Sequence, residues 1–325
     1  ILMIELLTNE NREELREFLK NHWRENHIFV EDPEYFAYEV DNFTMYRNEQ
    51  GKIVACLGYM VYNDKQDASH FIWKAIEKGT GAVLLDYLLE NFRSLSGPGM
   101  NPGTLPFYDK RGHVTGRMNH YYRLNTTLSE FMIASIKQLP TFKPLKAKGN
   151  VETVESMGKL LSNMDYNSME HYPNIFKSKK FFEKRYFNHY YYTYNVLATR
   201  DHINEEYDAI LVYRLVEAEG KTCVRIIDFL GKEERFEDFI AFLDELIKEK
   251  GYEYIDIYEI GLGEETLERA GLVERTEDDV NIIPNYFEPF EKRNVEVHYM
   301  TTIKENVRMF RGDGDQDRPA IARRK

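Results

Sequence analysis

The sequence predicts an α/β protein built from two tandem units, and three observations carry that expectation. A chain of 325 residues amounts to roughly two domains of about 150 residues each. The order of elements in the first half returns in the second. Between them, Lys137–Asn150 holds Pro140, Pro144 and four lysines, the composition of a linker.

The elements follow in order. Ile4–Leu7 is a short apolar strand, and Thr8 or Asn9 can cap a helix through Lys20 with Leu15, Phe18 and Leu19 on one face. Phe43–Arg47 and Ile53–Tyr62 flank the turn Asn48-Glu49-Gln50-Gly51 as a hairpin. His70–Ile76 is a further strand that runs into Gly79-Thr80-Gly81. A helix over Ala82–Arg93 follows, with Val83, Leu84, Tyr87 and Leu88 on its apolar face. The Gly/Pro-rich stretch Ser94–Gly103 leads to a short helix near Thr104–Arg111, then to strands near Thr115–Leu124 and Glu130–Ile136. In the second half Tyr194–Arg200, Tyr207–Val216 and Cys223–Leu230 read as strands, Glu234–Lys250 as an amphipathic helix, and Tyr252–Ile260 as a strand. Glu264–Ala270 is a short helix and Val295–Thr301 closes the unit. Met118-Asn119-His120-Tyr121 is echoed by Val297-His298-Tyr299, and Gly99–Leu105 by Gly261–Leu267, as in a diverged duplication. The expected boundaries are 1–137, a linker 138–150, 151–309, and a polar tail 310–325.

Composition narrows the function classes. Lys plus Arg is 43 against 55 Asp plus Glu, a net charge of −12, which argues against nucleic acid as a partner because phosphate neutralisation needs surplus cations. The charge is uneven: residues 70–125 hold seven Lys/Arg against four acids, so a compact phosphate ligand is still admissible there. A mean hydropathy of −0.57 and 14% aromatic residues fit an ordered, water-soluble chain. No apolar run approaches the ~18 residues of a membrane span. The start Ile1-Leu2-Met3 lacks a signal-peptide layout, with Met3 read as the native initiator. Cys56 and Cys223 are too few for a disulfide framework or a cysteine zinc site, so a reducing, cytoplasmic compartment is expected.

The strongest local signal is the run from Trp73 to Glu90, a strand entering a glycine turn that opens an amphipathic helix. Glycines permit close backbone approach, and the unpaired N–H groups of the first helical turn, with the helix dipole, form a phosphate cradle. In this context Ile76-Glu77-Lys78-Gly79-Thr80-Gly81 resembles the pyrophosphate loop Gln/Arg-x-x-Gly-x-Gly/Ala of the GNAT acyl-CoA N-acyltransferase superfamily. Both glycines match, but Ile76 stands at the Gln/Arg position. The superfamily's next motif, an Asn, a Tyr seven residues on and a Gly four further, is matched by Asn101, Tyr108 and Gly112.

The resemblance implies two GNAT-like units, each a mixed, mostly antiparallel sheet flanked by helices, the first of them active. It implies acetyl-CoA or another acyl-CoA as co-substrate, with the amides of Lys78, Gly79, Thr80, Gly81 and Ala82 on the pyrophosphate. Asn101 would touch the pantetheine arm, and Tyr108 would give a proton to the departing CoA thiolate. A phenol suits that step because its pKa near 10 keeps it protonated at neutral pH. The general base is open among His70, Glu77 and His120. The acceptor is expected to be a small-molecule amine, an amino sugar or an amino acid, attacked directly in a ternary complex with no metal, no nucleic acid and no membrane. A homodimer is one assembly option. In the second half Glu233, Glu234 and Glu237 stand where phosphate would sit, so that unit is expected to keep the fold and lose CoA. The rival readings are a Fem-type aminoacyl transferase, opposed by the acidic charge and the lack of a helical-hairpin insertion, and a non-catalytic scaffold on a degenerate acetyltransferase fold. The alternating aspartates of Arg311–Asp317 lack the acid at the twelfth loop position that a calcium site needs. They read instead as a solvated or domain-covering tail.

Overall fold

The computed structural model describes residues 3–64, 66–169, 175–200, 203 and 205–321. By internal contacts the chain divides into two compact units. One comprises Ile1–Thr115, Met300–Lys304 and Gly314–Lys325, the other Gly116–Tyr299 and Glu305–Asp313.

The first unit begins with β1 (Ile4–Leu6), α1 (Arg12–His22), α2 (Ile28–Glu31) and α3 (Pro33–Glu39). In α1 the residues Leu15, Phe18 and Leu19 are buried, and acids in the first turn with Lys20 and His22 in the last complement the helix dipole. α3 opens with Pro33, where a missing N–H costs nothing, and Asp32 caps it by accepting from Tyr35 N at 2.9 Å. β2 (Asn42–Arg47) and β3 (Ile53–Val61) form the expected hairpin, followed by β4 (Asp67–Ala75), α4 (Thr80–Asn91), β5 (Ser94–Met100), α5 (Leu105–Asp109) and β6 (Val114–Arg117). Ala55, Leu57, Tyr59, Leu84, Leu85, Leu88, Leu95, Tyr108 and Met300 share one apolar core.

The second unit contains β7 (Asn119–Leu124), β8 (Val151–Val154), α6 (Met157–Leu161), α7 (Lys179–Phe182), β9 (Asn195–Arg200), β10 (Tyr207–Ala218) and β11 (Lys221–Gly231). It continues with α8 (Phe236–Lys250), β12 (Tyr254–Ile260), α9 (Glu264–Arg269), β13 (Val273–Glu274) and β15 (Met309–Phe310), while β14 (His298–Thr301) returns to the sheet of the first unit. α8 buries Phe236, Phe239, Ile240, Leu243 and Ile247 and stops at Gly251, whose φ of +69° favours glycine.

Two sheets result. The first has the order β1-β2-β3-β4-β5-β14-β6 and the second β13-β7-β12-β11-β10-β9-β8, with β15 beside β12. Each holds a parallel pair, β4 with β5 and β11 with β12, spanned by α4 and α8 respectively, beside antiparallel pairs such as β1–β2, β2–β3 and β3–β4 in the first and β9–β10, β10–β11 and β7–β12 in the second. The mixed, mostly antiparallel sheet flanked by helices is therefore present twice, and the repeated element order has a structural counterpart.

Four expectations are corrected. Thr115–Leu124 is two strands, because the chain leaves the first sheet after β6 and re-enters as β7 against β12 in the second. The compact units accordingly part at Thr115/Gly116 instead of at 137, and Met300–Lys304 completes the first unit. Glu130–Ile136 is not a strand. The buried carboxylate of Glu253 accepts from the amides of Met132, Ile133 and Ala134 at 2.5–3.1 Å, so these amides are not free for a ladder. Finally, of the two readings of the tail the solvated one gives way to the domain-covering one, since Phe310, Arg311, Asp313 and Asp317 are buried.

Candidate active site

In the first unit β4 and β5 pair in parallel at Asp67↔Ser94, Ala68↔Leu95 and Ser69↔Ser96, and past Ser69 the two strands part. Asp67 anchors the closed end, accepting from Ser94 Oγ at 2.7 Å, Asn63 Nδ2 at 2.9 Å and the Arg93 guanidinium. On its other edge β4 skips one residue against β3: Leu57 faces Trp73 and Gly58 faces Phe71. Ile72 is thus a bulge, with φ +34°. Such bulges leave one residue's peptide groups without a ladder partner.

At the open end of this wedge lies the glycine turn, where the two glycines serve different needs. Gly79 caps α4 in the left-handed region at φ +88°, and a Cβ there would meet nothing within 4 Å, so the space above it is open. Gly81 is a packing requirement, since its Cβ would fall 2.8 Å from Trp73 Nε1. Trp73 Nε1 donates to the Gly81 carbonyl at 3.0 Å, and its ring lies 6.0 Å from that of Tyr108. The turn and the tyrosine are therefore tied to one strand.

Tyr108, fully buried on α5, places its Oη 2.8 Å from His70 Nε2, and His70 Nδ1 lies 3.1 Å from the Ser96 carbonyl. A carbonyl only accepts, so Nδ1 carries the proton and Nε2 accepts from the phenol. Burial lowers the His70 pKa to about 4, a trend the Ser96 carbonyl and Asp315 oppose, so the ring is neutral. Burial also pushes the Tyr108 phenol up, keeping it protonated. The result is a buried O–H···N pair inside the wedge.

No protein-family model matches the chain. No curated protein is similar to it in sequence. Solved structures are similar in fold. A GCN5-related N-acetyltransferase from Anabaena variabilis superimposes with a TM-score of 0.56 at 12% identity, covering 92% of this chain and 72% of that one. A conserved protein of unknown function from Enterococcus faecalis gives 0.56 at 11%, with 92% and 71% covered. A GCN5-related N-acetyltransferase from Kribbella flavida gives 0.51 at 11%, with 92% and 71% covered. The fold is the GNAT fold.

Within this GNAT fold the expected residues are placed as follows. Lys78, Gly79, Thr80, Gly81 and Ala82 form the turn at the head of α4. The Thr80 amide reaches the Glu77 carbonyl at 3.4 Å and that of Ala82 the Gly79 carbonyl at 3.1 Å, whereas those of Lys78, Gly79 and Gly81 make no backbone bond among the described residues. Ile76, at the superfamily's Gln/Arg position, is 47% exposed and has no polar group on its side chain. Asn101 follows β5, and its Oδ1 accepts from Gly103 N at 2.9 Å. Glu77 is exposed at the turn and accepts from Asn48 Nδ2 at 3.1 Å.

His120 lies on β7, in the other unit. Its Nε2 is 3.0 Å from Asp256 Oδ2, its Nδ1 accepts from Arg275 Nε at 2.9 Å, and its ring stacks on Tyr258. Both nitrogens are occupied, burial lowers its pKa to about 4, and no lone pair remains for a substrate proton. Of the three base candidates only His70 meets Tyr108. Nothing local in the sequence signals that pairing, because the ring is oriented by a carbonyl 26 residues away.

The second unit repeats the wedge and closes it. β11 and β12 pair in parallel from Val224↔Ile255 to Ile226↔Ile257. Beyond, β15 joins β12 at Glu259↔Phe310 and Ile260↔Met309, and Gly312 N donates to Ile227 O at 2.7 Å. Backbone thus fills the space that stands between the parted strands of the first unit. Glu233, at the head of α8, is taken by Arg308 and by Thr266 Oγ1. Among the described residues no group of three or more metal-ligating side chains comes together, and no helix is long and apolar enough to cross a membrane.

Proposed function

We propose that the protein is a CoA-dependent N-acyltransferase, moving an acetyl or other acyl group from acyl-CoA to the amine of a small acceptor. The observation that carries this reading is the Tyr108–His70 pair, held in the wedge between β4 and β5 and tied through Trp73 to the glycine turn. The pyrophosphate would lie on the free amides of Lys78, Gly79 and Gly81, where the positive end of α4 favours anions. The arm would run along β4 past Asn101, and the backbone freed at the Ile72 bulge would polarise the thioester carbonyl.

The amine nitrogen attacks that carbonyl, forming the C–N bond, and the C–S bond then breaks. Tyr108 donates its hydroxyl hydrogen toward the departing sulfur. A thiol has a pKa near 8.5, below the raised phenol, so complete transfer is uphill by at least about 1.5 units, or ~2 kcal/mol. The phenolate therefore does not accumulate. The proton shed by the nitrogen restores it, and His70 Nε2, facing the same oxygen, is placed to relay it. A covalent route has no support. Cys56 and Cys223 are buried, and burial pushes both thiols up, away from the reactive thiolate.

The second unit would mediate assembly without binding CoA. An amino sugar or amino acid suits its acidic character as an acceptor. A non-catalytic scaffold is the second reading, favoured by the exposed Ile76 where the superfamily places Gln or Arg.

Calorimetry with acetyl-CoA tests the first reading: one site per chain and a sub-millimolar Kd are expected. No binding sinks it, and two sites per chain refute a silent second unit. Thiol release from acetyl-CoA with a panel of primary amines then compares Tyr108→Phe with the native chain. Loss of a general acid costs ~10²–10⁴ in turnover, with acetyl-CoA affinity unchanged. Undiminished turnover removes Tyr108 from the acid role.

A further inference from the structure

We propose that the acceptor is a free amino acid, and that the Asp315–Arg318 pair of the first unit holds its ammonium and its carboxylate. The inference rests on the acyl-CoA reading above and deepens it by choosing between an amino sugar and an amino acid.

His70 of β4 meets Tyr108, which shares a core with Leu84 and Leu85 of α4. Ser69 and Phe71 alternate with it along the strand and face the other side of the sheet. The C-terminal segment runs on that other side. A Cβ on Gly314 would come to 2.9 Å from Ser69 Oγ on β4 and 3.0 Å from Pro98 Cδ on β5, and the Gln316 amide lies directly on Gly99. Residues 314–316 thus bridge the two strands past the point where they part, with Asp315 between the two contacts. Its charge is felt at the His70 ring. Farther on, Arg318 lies 4.2 Å over the Phe29 ring and 5.7 Å from that of Phe71, and the Ala320 carbonyl accepts from Ile28 N at 3.1 Å. A thioester carbonyl held between the parted strands has Tyr108 and α4 on one side. The side left to an attacking amine is the one that this segment lines.

The pair on this segment has one free end of each sign. Arg318 Nη2 donates to Asp315 Oδ2 at 2.6 Å, and the two side chains are only 8% and 15% exposed. Arg318 Nη1 is buried and, among the described residues, donates to nothing. Asp315 Oδ1 accepts no hydrogen bond among them either, and Ser69 Oγ, fully buried against Gly314, is unpaired as well. A buried guanidinium N–H without an acceptor is rare and costly. Arg318 and Arg24 both add to burial in lowering the His27 pKa to about 2, so the surroundings stay cationic in spite of Asp315. A free donor nitrogen beside a free carboxylate oxygen is the complement of a zwitterion, with the ligand's carboxylate on Nη1 and its ammonium on Oδ1. An amino sugar offers Nη1 a neutral hydroxyl, and forgoes the stronger bond between two charged groups.

The test is thiol release from acetyl-CoA with the standard amino acids, their carboxamides and glucosamine as acceptors, on the native chain and on Arg318→Gln and Asp315→Asn. On the native chain the best amino acid is expected to exceed its own carboxamide and glucosamine at least about tenfold in kcat/KM, the factor that one charge-assisted hydrogen bond carries. Arg318→Gln should bring amino acid and carboxamide within about threefold of each other. Asp315→Asn should raise KM for both at least about tenfold, because both carry the ammonium. Acetyl-CoA affinity, read by calorimetry, should stay within about twofold in each variant. A merely structural role would lower both acceptors together and leave their ratio as it was. A native chain that uses carboxamides or glucosamine as well as any amino acid overturns the proposal without recourse to a variant, as does acetyl-CoA binding with no amino acid accepted. An unchanged ratio of amino acid to carboxamide in a folded Arg318→Gln protein overturns it as well. Absence of acetyl-CoA binding overturns the acyl-CoA reading, and this inference with it.

Discussion

Replacing Glu253 by glutamine removes an acceptor on which a stretch of irregular backbone depends. The carboxylate is fully buried and receives the amides of Met132, Ile133 and Ala134, Ile133 reaching both oxygens at 3.0 Å. Hydrogen bonds to a charged group contribute ~1.5–3 kcal/mol each, and a buried donor left without a partner costs ~1–3 kcal/mol. In Glu253→Gln one oxygen becomes an NH₂ that points hydrogens at amide hydrogens, so at least one amide loses its acceptor and the remaining bonds lose their charge. A loss of about 3–5 kcal/mol follows, a large share of the ~5–15 kcal/mol that stabilises an ordinary domain. At ~2–4 °C per kcal/mol for a unit of this size, the Tm should fall by roughly 6–20 °C. Scanning calorimetry reads the change, and hydrogen exchange should show the amides of residues 132–134 losing protection. A Tm within 2 °C of the native value, with those amides still protected, would refute the claim that this carboxylate organises the segment.

Two further outcomes follow from the buried groups and the glycine turn. Burial lowers the pKa of His27 to about 2 and of His70 and His120 to about 4. The unfolded chain therefore takes up protons first, and stability present above pH ~6.5 is lost as the pH falls toward ~4. Glu259, raised by burial to about 7, works in the opposite sense over pH 7 to 4.5. At pH 5 each histidine withdraws about 2 kcal/mol and Glu259 returns a similar amount, a net loss of about 4 kcal/mol. Equal urea midpoints at pH 7 and pH 5 would contradict this. Gly81→Ala forces a methyl against Trp73 and should cost ~1–3 kcal/mol, shift indole fluorescence and weaken CoA binding at least tenfold. Gly79→Ala, with open space around it, should cost only the ~1–2 kcal/mol of left-handed backbone. Identical behaviour of the two variants would show that the turn does not pack on Trp73.

What the sequence made legible was local. α1, α4 and α8 declare themselves by apolar spacing, and the β2–β3 hairpin by its Asn48–Gly51 turn. The glycine turn stood out by its spacing and Tyr108 by its match to the superfamily's motif, and both come to lie about Trp73. What escaped depends on partners far along the chain. Glu130–Ile136 has the composition of a strand, yet a glutamate 120 residues away takes its amides. The histidines are alike in sequence, and only the Ser96 carbonyl and the Asp256 carboxylate assign His70 to the wedge and His120 to a buried ion-pair network. The tail looked soluble because its aspartates alternate with glycines, but Asp313 pairs with Lys177 at 3.1 Å inside the second unit. Glycine there serves close backbone approach, a use that composition does not distinguish from a flexible loop.

The placement of Met300–Lys304 bears on how the molecule is made. Leu95 of β5 exchanges bonds with Thr302, accepting from its amide at 2.9 Å and donating to its Oγ1 at 3.0 Å, and Ser96 Oγ meets Thr301 Oγ1 at 2.8 Å. During synthesis the first unit therefore waits for some 200 further residues before its sheet can close. Until residues 300–304 have left the ribosome, the β5 edge is unpaired and open to other strands. A nascent chain arrested midway, or a gene fragment cut at the linker, carries every residue of the glycine turn and of Tyr108 on a sheet that has no means of finishing itself.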